Sequence, residues 1–361
     1  MKVIIAGGGT GGHLFPAVAV GEALMRENKG SSVLFVGTTS GIEAQWLPAH
    51  GFQYQLLDVH GLRGHSLGER ARAIVEFGRA MRGARRIIKG FAPDIVVSAG
   101  GYASAPMGFA AVMARRPLVL MEQNTRPGLS NRLLKPFAAR VCVGFEDAAG
   151  YFRGRRVTVT GNPVRLTAKN PVNAGGPPQI LVLGGSSGAH RLNKGVVSAL
   201  RKMRESVIKW QFVHQTGQAD VGFVKAEYEA QRCAAAVTPF IDDVVSALAA
   251  ATLVIARSGA MTVSEVALAG RPAVFVPYPF HRDRQQEFNA RVLQSRGAAI
   301  IIKDDDALAD NLARVIPELM SDPARLAEMG KRAREAARPD ADVAVARICA
   351  EIVAQRSGTA A

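Results

Sequence analysis

The sequence has 361 residues, of which 48% are hydrophobic and 21% are charged, and this composition excludes an intrinsically disordered chain. The length exceeds what one compact core usually organises, which predicts two domains of about 150 to 200 residues each. The formal net charge of +15 indicates an acidic partner, and nucleic acid, anionic lipid and phosphorylated small molecules all meet that requirement.

Cysteine content and hydropathy indicate the cellular setting. Cys142, Cys233 and Cys349 lie far apart in the sequence, so we expect neither a disulfide framework nor a CxxC metal site, and a reducing cytoplasm fits. No signal peptide is recognisable before the first predicted strand. The apolar stretch 244–256 is too short and too interrupted to cross a bilayer of about 30 Å. We therefore expect a soluble or peripheral protein.

In the first half, short β-branched runs alternate with amphipathic stretches, which is typical of buried parallel strands in βα units. The predicted strands are VIIA at 3–6, VLFVG at 33–37, DIVVSAGG at 94–101, PLVLMEQN at 117–124 and RVCVGF at 140–145. The turn GNPVR at 161–165 then leads into NPVNAGGPP, whose composition is typical of a linker.

The same alternation restarts after the linker with QILVLGG, WQFVHQTG, AAAVTPFIDD, TLVIARSGAM, RPAVFVPYP and AAIIIKDDD. Each half thus begins with a strand, a glycine-rich turn and a helix. The sequence predicts an α/β fold of two tandem Rossmann-like domains, 1–163 and 164–339, whose strand ends face a cleft. A final helix at about 340–356, with Asp340 or Asp342 as its cap, is expected to pack back on the first domain.

The first glycine-rich turn resembles a dinucleotide-binding loop. Gly7, Gly9 and Gly12 satisfy G-x-G-x-x-G between a strand and a helix. A resident NAD would also need an acid about 20 residues later, but VLFVG is followed by Thr38 and Thr39. A nicotinamide or flavin cofactor is therefore disfavoured.

Two further turns, at 99–102 and 184–188, have the same character. Glycine amides and a helix N-terminus together bind anions. A single loop of this kind is equally well explained as a tight turn between a strand and a helix. Three of them at strand ends around one expected cleft favour the binding of two phosphorylated ligands.

Polar side chains in the second half match a nucleotide sugar. Glu265, about one turn into a predicted helix, has the chemistry to accept two hydrogen bonds from a ribose diol, although a first-turn Glu also suits the helix dipole. Gln285 and Gln286 donate and accept as sugar hydroxyls require, or they belong to an ordinary polar helix face. Arg165 is a candidate for a diphosphate, because guanidinium pairs with phosphate in bidentate fashion.

No metal-binding pattern is present in the sequence. The run DDD at 304–306 contains D-x-D, but its place after an apolar strand favours a solvated turn that starts a helix. The histidines lack ligand spacing. We expect no metal and no other cofactor, so helix N-termini and Arg or Lys side chains must balance phosphate charge.

Eight motifs carry a family resemblance in order and spacing: GGTGGHLFP, SAGGYASAP, MEQN, GNPVR, LGGSSGA, FIDD, RSGAMTVSE and DRQQ. From about residue 3 to about residue 355 the sequence resembles the bacterial N-acetylglucosaminyltransferases of glycosyltransferase family 28, which are two-domain GT-B enzymes. The resemblance implies inverting transfer of N-acetylglucosamine from UDP-N-acetylglucosamine to the 4-hydroxyl of the muramoyl sugar of lipid I. The products, lipid II and UDP, would be formed by a peripheral protein on the cytoplasmic side of the inner membrane during peptidoglycan synthesis.

The resemblance also implies roles for individual residues. His13 is the proposed base, because an imidazole with a pKa near 6.5 is suited to the task; binding to a phosphate is its alternative role, and Glu122 is the rival base. Met121 and Ser187 depart from the family's HEQN and GGSQGA and carry no implied role. Contact with the acceptor diphosphate is implied for Gly9, Gly100, Gly101 and Tyr102. UDP-N-acetylglucosamine binding is implied for Thr10, Gly11, Gly12, Asn124, Arg165, Ser186, Ile241, Ala260, Met261, Thr262, Val263, Ser264, Glu265 and Gln286.

A basic amphipathic helix is predicted before the third strand run. Its apolar positions are Ile74, Phe77, Met81, Ala84 and Ile88, and its cations are Arg70, Arg72, Arg79, Arg82, Arg85, Arg86 and Lys89. This composition favours an anionic membrane surface; the alternative is that the apolar stripe packs on its own domain.

Three other functions remain as alternatives. A nucleic-acid binder would explain the charge, but aromatic residues are only 6% and no basic motif with interleaved aromatics is present, so no nucleic-acid partner is expected. A GT-B enzyme with a different acceptor and an epimerase of UDP-N-acetylglucosamine share the predicted fold.

Overall fold

The computed structural model describes residues 1–59, 67–152, 156–164, 176–185, 188–203, 207–281 and 283–358, with the backbone alone at 67–74. The chain divides into two compact units. Unit 1 comprises Met1–Arg165 and Asp340–Ala361, and unit 2 comprises Leu166–Pro339.

Within the described residues, unit 1 forms a seven-stranded parallel sheet in the order β3-β2-β1-β4-β5-β6-β7. The order reverses between β1 and β4, where Ala6 pairs with Ser98. Ligands of doubly wound sheets bind outside the carboxyl ends of the strands at such a reversal. The strands are β1 Lys2–Ala6, β2 Ser32–Thr38, β3 Tyr54–Leu57, β4 Ile95–Ser98, β5 Leu118–Glu122, β6 Arg140–Val143 and β7 Val157–Val159.

Helices cover both faces of this sheet, and the apolar strand residues are buried beneath them in two clusters. Burial on both faces explains why the strand sequences are continuous apolar runs. The helices before the linker are α1 Gly11–Glu27, α2 Glu43–Ala49, α3 Leu67–Phe91, α4 Ser104–Met113, α5 Leu129–Leu134 and α6 Glu146–Ala149, with short 3-10 turns at Lys135–Phe137 and Gly150–Phe152.

The described part of unit 2 repeats this design with six parallel strands in the order β10-β9-β8-β11-β12-β13. The reversal lies between β8 and β11, where Leu183 pairs with Ala256. The strands are β8 Gln179–Leu183, β9 Gln211–Gln215, β10 Ala234–Thr238, β11 Leu253–Ala256, β12 Ala273–Phe275 and β13 Ala299–Ile301. The helices are α7 His190–Met203, α8 Val221–Ala230, α9 Val244–Ala250, α10 Ala260–Ala269, α11 Gln285–Gln294, α12 Leu308–Met320 and α13 Pro323–Glu335, with a 3-10 turn at Val207–Lys209.

The last helix, α14 Ala341–Gly358, returns to unit 1. Val345, Cys349 and Ile352 join the buried cluster formed by α1 and the sheet, and Asp342 pairs with Arg26 at the end of α1. The first unit is therefore completed by a helix that begins 182 residues after the end of β7.

The predicted α/β class with two parallel-sheet units is confirmed, and the sequence analysis missed only β3 and β7 among the described strands. The strand β3 has mostly exposed side chains and β7 has three half-buried residues, so neither is the continuous apolar run that marks a buried strand. No helix of the described residues combines the length and apolar character needed to span a membrane.

Candidate active site

Two glycine loops lie side by side at the carboxyl edge of the unit 1 sheet. The first glycine loop (residues 7–12) follows β1 and the second glycine loop (residues 99–102) follows β4. Gly101 has a φ of +85°, and a Cβ there would overlap the carbonyl oxygen of Gly8. The hydroxyl of buried Ser104 joins the two segments by donating to the carbonyls of Ala6 (2.9 Å) and Gly100 (2.7 Å). Only glycine permits this backbone-to-backbone approach.

His13 lies in the first turn of α1, between these loops. Its Nδ1 is 3.3 Å from the hydroxyl of Thr10, which is the extended residue that precedes the helix. A Cβ on Gly100, whose φ is +90°, would lie 2.6 Å from His13 Cδ2, so that glycine makes room for the imidazole. Burial lowers the pKa of His13, and the negative charge of Glu43 opposes that shift. The ring is therefore neutral at physiological pH, which is the state that a general base needs.

The residues implied for the acceptor diphosphate differ in their exposure and in the hydrogen bonds that they already make. The amide of Gly9 is already used, because it donates to both carboxylate oxygens of Glu43 at 2.9 and 2.8 Å. Tyr102 is about half exposed and packs beside Gly9. Thr10 and Gly12 are exposed, whereas Gly11 is buried. Thr10, Gly11 and Gly12 are among the residues implied for UDP-N-acetylglucosamine, and of the acceptor set Tyr102 is more accessible than the occupied Gly9 amide.

Glu122, the rival base, ends β5 as a buried carboxylate with a full set of donors. Its Oε1 accepts from the amide (3.0 Å) and side chain (3.4 Å) of Asn124. Its Oε2 accepts from the Gly128 amide (3.0 Å) and from the Asn131 side chain (2.9 Å). Burial raises the pKa of Glu122 while these hydrogen bonds oppose the shift. Glu122 thus shapes the turn that follows β5.

Gln123, for which the sequence analysis predicted no role, contacts the second glycine loop. Its side-chain amide donates to the carbonyl of Ala99 at 3.0 Å, and its own carbonyl accepts from the Asn162 side chain at 3.0 Å. Asn162 in turn fills the space left by Gly144. Residues of the motifs MEQN and GNPVR therefore hold the second glycine loop through a chain of hydrogen bonds. The presence of both motifs among the eight family motifs was the sequence signal that could have identified Gln123.

In unit 2 the third glycine loop (residues 184–188) follows β8. The Gly184 amide donates to the Gln215 carbonyl at 3.3 Å, and Gly188, with a φ of +76°, faces the Thr216 carbonyl so closely that a Cβ would overlap it. Ser186, Ser187 and Arg165 lie outside the described residues. Their assignment to the UDP phosphates stays a prediction.

A buried polar network that the sequence analysis missed lies behind this loop. Asn193 donates to the Thr216 carbonyl (2.9 Å) and to Asp220 (2.7 Å). Its oxygen is 3.1 Å from His214 Nε2, so Nε2 carries the proton and His214 Nδ1 accepts from the Tyr228 hydroxyl at 3.2 Å. Burial lowers the pKa of His214 to about 3. The neutral ring holds Asn193, and through it Thr216, against Gly188.

The segment 260–265 presents only some of its side chains to solvent. Val263 and Ala260 are buried, and the Ser264 hydroxyl donates to the Ala260 carbonyl at 3.0 Å. Met261, Thr262 and Glu265 are half-buried. Burial raises the pKa of Glu265 to about 7, and no donor to its carboxyl group is present among the described residues. Glu265 is therefore the polar group of α10 that is best placed to bind a ligand.

Gln286 is the second residue of α11, and it accepts hydrogen bonds from two loops that follow strands. Its Oε1 accepts from the amides of Tyr278 (2.9 Å) and Ser258 (3.3 Å), and its carbonyl accepts from the Ser258 hydroxyl at 2.8 Å. No acceptor for its Nε2 is present in the described part of the chain. Ile241, half-buried after β10, lies on another strand end of the same sheet.

The prediction of a solvated turn at 304–306 holds for Asp305 and Asp306, which are exposed just before α12, but not for Asp304. Its carboxylate is buried and pairs with the guanidinium groups of Arg257 (2.8 Å) and Arg191 (2.8 Å). Arg257, also buried, donates to the carbonyls of Val276 (2.9 Å) and Pro277 (3.3 Å). The prediction was wrong for Asp304 because a pattern of consecutive acids does not reveal a distant buried cation. Within the described residues, no group of three or more His, Cys, Asp or Glu side chains is placed to hold a metal ion.

Two parallel-sheet units with glycine-rich turns at their strand ends are the architecture of the GT-B fold, and comparison with known families identifies the class as glycosyltransferase. The chain matches the glycosyltransferase family 28 N-terminal domain over residues 3–143 and the family 28 C-terminal domain over residues 179–345. The chain therefore belongs to glycosyltransferase family 28, as its motifs predicted.

Individual relatives are similar over nearly their whole length. The UDP-N-acetylglucosamine–N-acetylmuramyl-(pentapeptide) pyrophosphoryl-undecaprenol N-acetylglucosamine transferase of Geobacter sulfurreducens is 40% identical over 352 residues, which cover 96% of this chain and 97% of that protein. The crystal structure of Acinetobacter baumannii MurG superposes with a TM-score of 0.79 at 33% identity, covering 97% and 99% of the two chains. A Neisseria meningitidis UDP-GlcNAc 2-epimerase reaches a TM-score of 0.69 at 14% identity, covering 96% and 99%, which shows the fold alone.

Proposed function

We propose that this chain transfers N-acetylglucosamine from UDP-N-acetylglucosamine to the 4-hydroxyl of the muramoyl sugar of lipid I, giving lipid II and UDP. Unit 1 binds the acceptor and unit 2 binds the donor. The observation that carries the proposal is His13, a neutral imidazole held against Gly100 between two glycine loops. Similarity to the Geobacter transferase over nearly the whole chain supports the choice of substrates.

The chemistry is one displacement at the anomeric carbon. The acceptor oxygen forms a bond to that carbon, the bond to the UDP phosphate oxygen breaks, and UDP leaves with the electron pair. The proton of the hydroxyl passes to His13. With Nδ1 beside the Thr10 hydroxyl, Nε2 is the nitrogen that accepts it. A base of this kind contributes a factor of about 10² to 10⁴ in rate.

Three features favour His13 over Glu122 as the base. Glu122 accepts four hydrogen bonds from protein donors, so its lone pairs are occupied. Its side chain is 2% exposed, whereas His13 is half-buried at the edge of the sheet. Removing Glu122 would also disturb the turn that carries Asn124, so loss of activity in such a variant has a structural explanation.

In unit 2 the donor is held by its ribose, its diphosphate and its sugar. Glu265 accepts from the ribose hydroxyls, and the Nε2 of Gln286 donates to the N-acetylglucosamine. The third glycine loop and the N-terminus of α7 face the diphosphate, where backbone amides stabilise the charge that develops on the leaving group. Arg165 and Ser186 are proposed to add to this stabilisation.

The test is a transfer assay with saturating UDP-N-acetylglucosamine and a soluble lipid I analogue. His13→Ala is expected to lower kcat by about 10² to 10⁴, whereas His50→Ala, an exposed histidine at the end of α2, keeps wild-type turnover. Unchanged turnover in His13→Ala would remove His13 as the base. A product formed from UDP-N-acetylglucosamine without any acceptor would instead indicate an epimerase.

We further propose that unit 1 contacts the cytoplasmic face of the inner membrane. Part of the predicted amphipathic stripe lies in the core, since Ala84 and Ile88 are buried. Phe77 stays exposed and packs edge-on against Phe109 (6.3 Å between ring centroids), which packs in the same way against Phe137 (6.0 Å). With exposed Val75, Met113, Leu129 and Leu133, these rings form an apolar surface on α3, α4 and α5.

Exposed cations on the same segments suit anionic lipid. On α3 they are Arg79, Arg82, Arg85 and Arg86, and on the neighbouring segments Arg116, Arg132 and Lys135. Each cation near an anionic bilayer contributes about 1 kcal/mol. Sedimentation with phosphatidylglycerol vesicles is expected to fall for Phe77→Ser and for Arg79→Glu with Arg82→Glu. Binding as strong as that of the wild type in both variants would contradict the assignment.

A further inference from the structure

Glu43 is a buried carboxylate behind the first glycine loop, and the transfer mechanism above does not use it. It begins α2 and is 0% exposed. Its Oε1 accepts from the amide (2.7 Å) and the hydroxyl (2.8 Å) of Thr38 at the end of β2. Both of its oxygens accept from the Gly9 amide, at 2.9 and 2.8 Å. One carboxylate thus joins the end of β2 to the loop that follows β1.

The surrounding backbone is shaped to fit this carboxylate. A Cβ on Gly8, Gly37 or Gly41 would overlap the Glu43 side chain, so a glycine of the first glycine loop, one of β2 and one of the turn after β2 leave the space that it fills. In the described residues no Lys or Arg forms an ion pair with it, and its donors are two amides and one hydroxyl. Burying a charge without an ion-pair partner is costly, and the hydrogen bonds from these three donors offset that cost.

The position of Glu43 links it to His13 in two ways. The Gly9 amide that it holds immediately precedes Thr10, whose carbonyl accepts from the His13 amide (3.1 Å) and whose hydroxyl lies at His13 Nδ1. Among the charged side chains of the described residues, Glu43 is the one whose charge acts on the pKa of His13, which it raises.

We propose that Glu43 is a positioning residue for the transfer reaction. It fixes the first glycine loop so that His13 rests against Gly100, and its negative charge stabilises the imidazolium that forms when His13 takes the acceptor's proton. The inference rests on the proposed function of His13. A preorganised charge that faces a developing opposite charge stabilises a transition state without reorganisation at the moment of reaction.

The test compares Glu43→Gln with the wild type and with Glu351→Gln, an exposed glutamate of α14 in the same unit. The first readout is independent of activity. The His13 Cε1–Hε1 resonance, assigned by its loss in His13→Asn, is titrated by NMR. We expect its pKa to be lower in Glu43→Gln, because the opposing charge is gone, and unchanged in Glu351→Gln. An unchanged His13 titration in Glu43→Gln would overturn the proposal.

The second readout is kinetic. In Glu43→Gln we expect kcat to fall by about 10²-fold, because a base displaced by about 1 Å loses this much, while KM for UDP-N-acetylglucosamine stays at the wild-type value. The acid limb of the kcat/KM profile is expected to move to lower pH, which a loss of packing alone would not produce. Wild-type kcat would overturn the positioning role. If His13→Ala retains its turnover while Glu43→Gln still shifts the His13 titration, the base assignment fails and the Glu43–His13 coupling stands.

A second variant covers the case in which Glu43→Gln does not fold. Thr38→Val keeps the carboxylate but removes the hydroxyl that donates to it. We expect kcat to fall by about 3- to 10-fold, in line with the net loss of one typical hydrogen bond, with an unchanged KM for the donor. A wild-type kcat in a folded Thr38→Val would count against Glu43 as a positioning residue.

Discussion

We predict that the ionisation of Glu265, which is proposed to bind the ribose, makes donor binding depend on pH. Burial raises the pKa of this carboxyl to about 7. A ribose diol donates hydrogen bonds, and a carboxylate accepts them more strongly than a carboxylic acid does. Donor affinity should therefore rise as the pH rises through 7 and fall as the group is protonated below it.

The magnitude follows from the ionised fraction. With a pKa of about 7, Glu265 is about one-tenth ionised at pH 6 and about nine-tenths ionised at pH 8, so the Kd is expected to fall about tenfold between these values, equivalent to about 1.4 kcal/mol. Calorimetry with UDP-N-acetylglucosamine suits the measurement, because its doubly esterified diphosphate does not titrate in this range. Glu265→Gln should bind more weakly at pH 8 and show no slope. A wild-type Kd that is constant from pH 6 to 8, or an equal slope in Glu265→Gln, would refute the reasoning.

Two further predictions test the scaffold around the sites. Gly101→Ala places a Cβ against the Gly8 carbonyl at a φ of +85°, so we expect kcat in the transfer assay to fall by about 10²-fold. The control Gly150→Ala adds a Cβ in open space and should keep full activity. Equal activity of the two variants would contradict the close approach of the loops. Asp304→Ala leaves Arg257 buried without its partner, and urea denaturation is expected to show a loss of about 3 to 5 kcal/mol in the free energy of unfolding. Asp310→Ala, which breaks an exposed pair with Lys202, should change the free energy of unfolding little. An equally small change in Asp304→Ala would contradict a stabilising role of the buried pair.

The sequence predicted the two sheets because both are parallel and buried on both faces. Such strands are continuous apolar runs, and each glycine-rich turn marks the end of a strand. The edge strands β3 and β7 were not predicted, because their partly exposed residues do not form a continuous apolar run. Motif order identified the family, and comparison with known domains confirmed it.

The details of the site were less accessible from the sequence because they depend on contacts between distant segments. The sequence contains Thr38 and Glu43 five residues apart, but only the structure shows that the Glu43 carboxylate accepts a hydrogen bond from the amide of Gly9. Asp304 looked solvated in a run of three acids, yet its partner Arg257 lies on another strand end, 47 residues away. A one-dimensional pattern carries no information about which buried donor meets which acceptor.

Hydrogen-bond donors distinguish the roles of three carboxylates that all lie near strand ends. Glu43 and Glu122 are buried, and protein donors satisfy both of them, so each is suited to holding a loop in place. Glu265 is half-buried, and none of the described residues donates to it, so desolvation acts on it without opposition. A ligand that supplies two hydroxyl donors would complete the environment of Glu265 as Thr38 and Gly9 complete that of Glu43. The proposed division between positioning and ligand-binding carboxylates therefore follows from the number of donors at each group. It predicts that the nucleotide stabilises ionised Glu265 and leaves the hydrogen bonds of Glu43 and Glu122 unchanged.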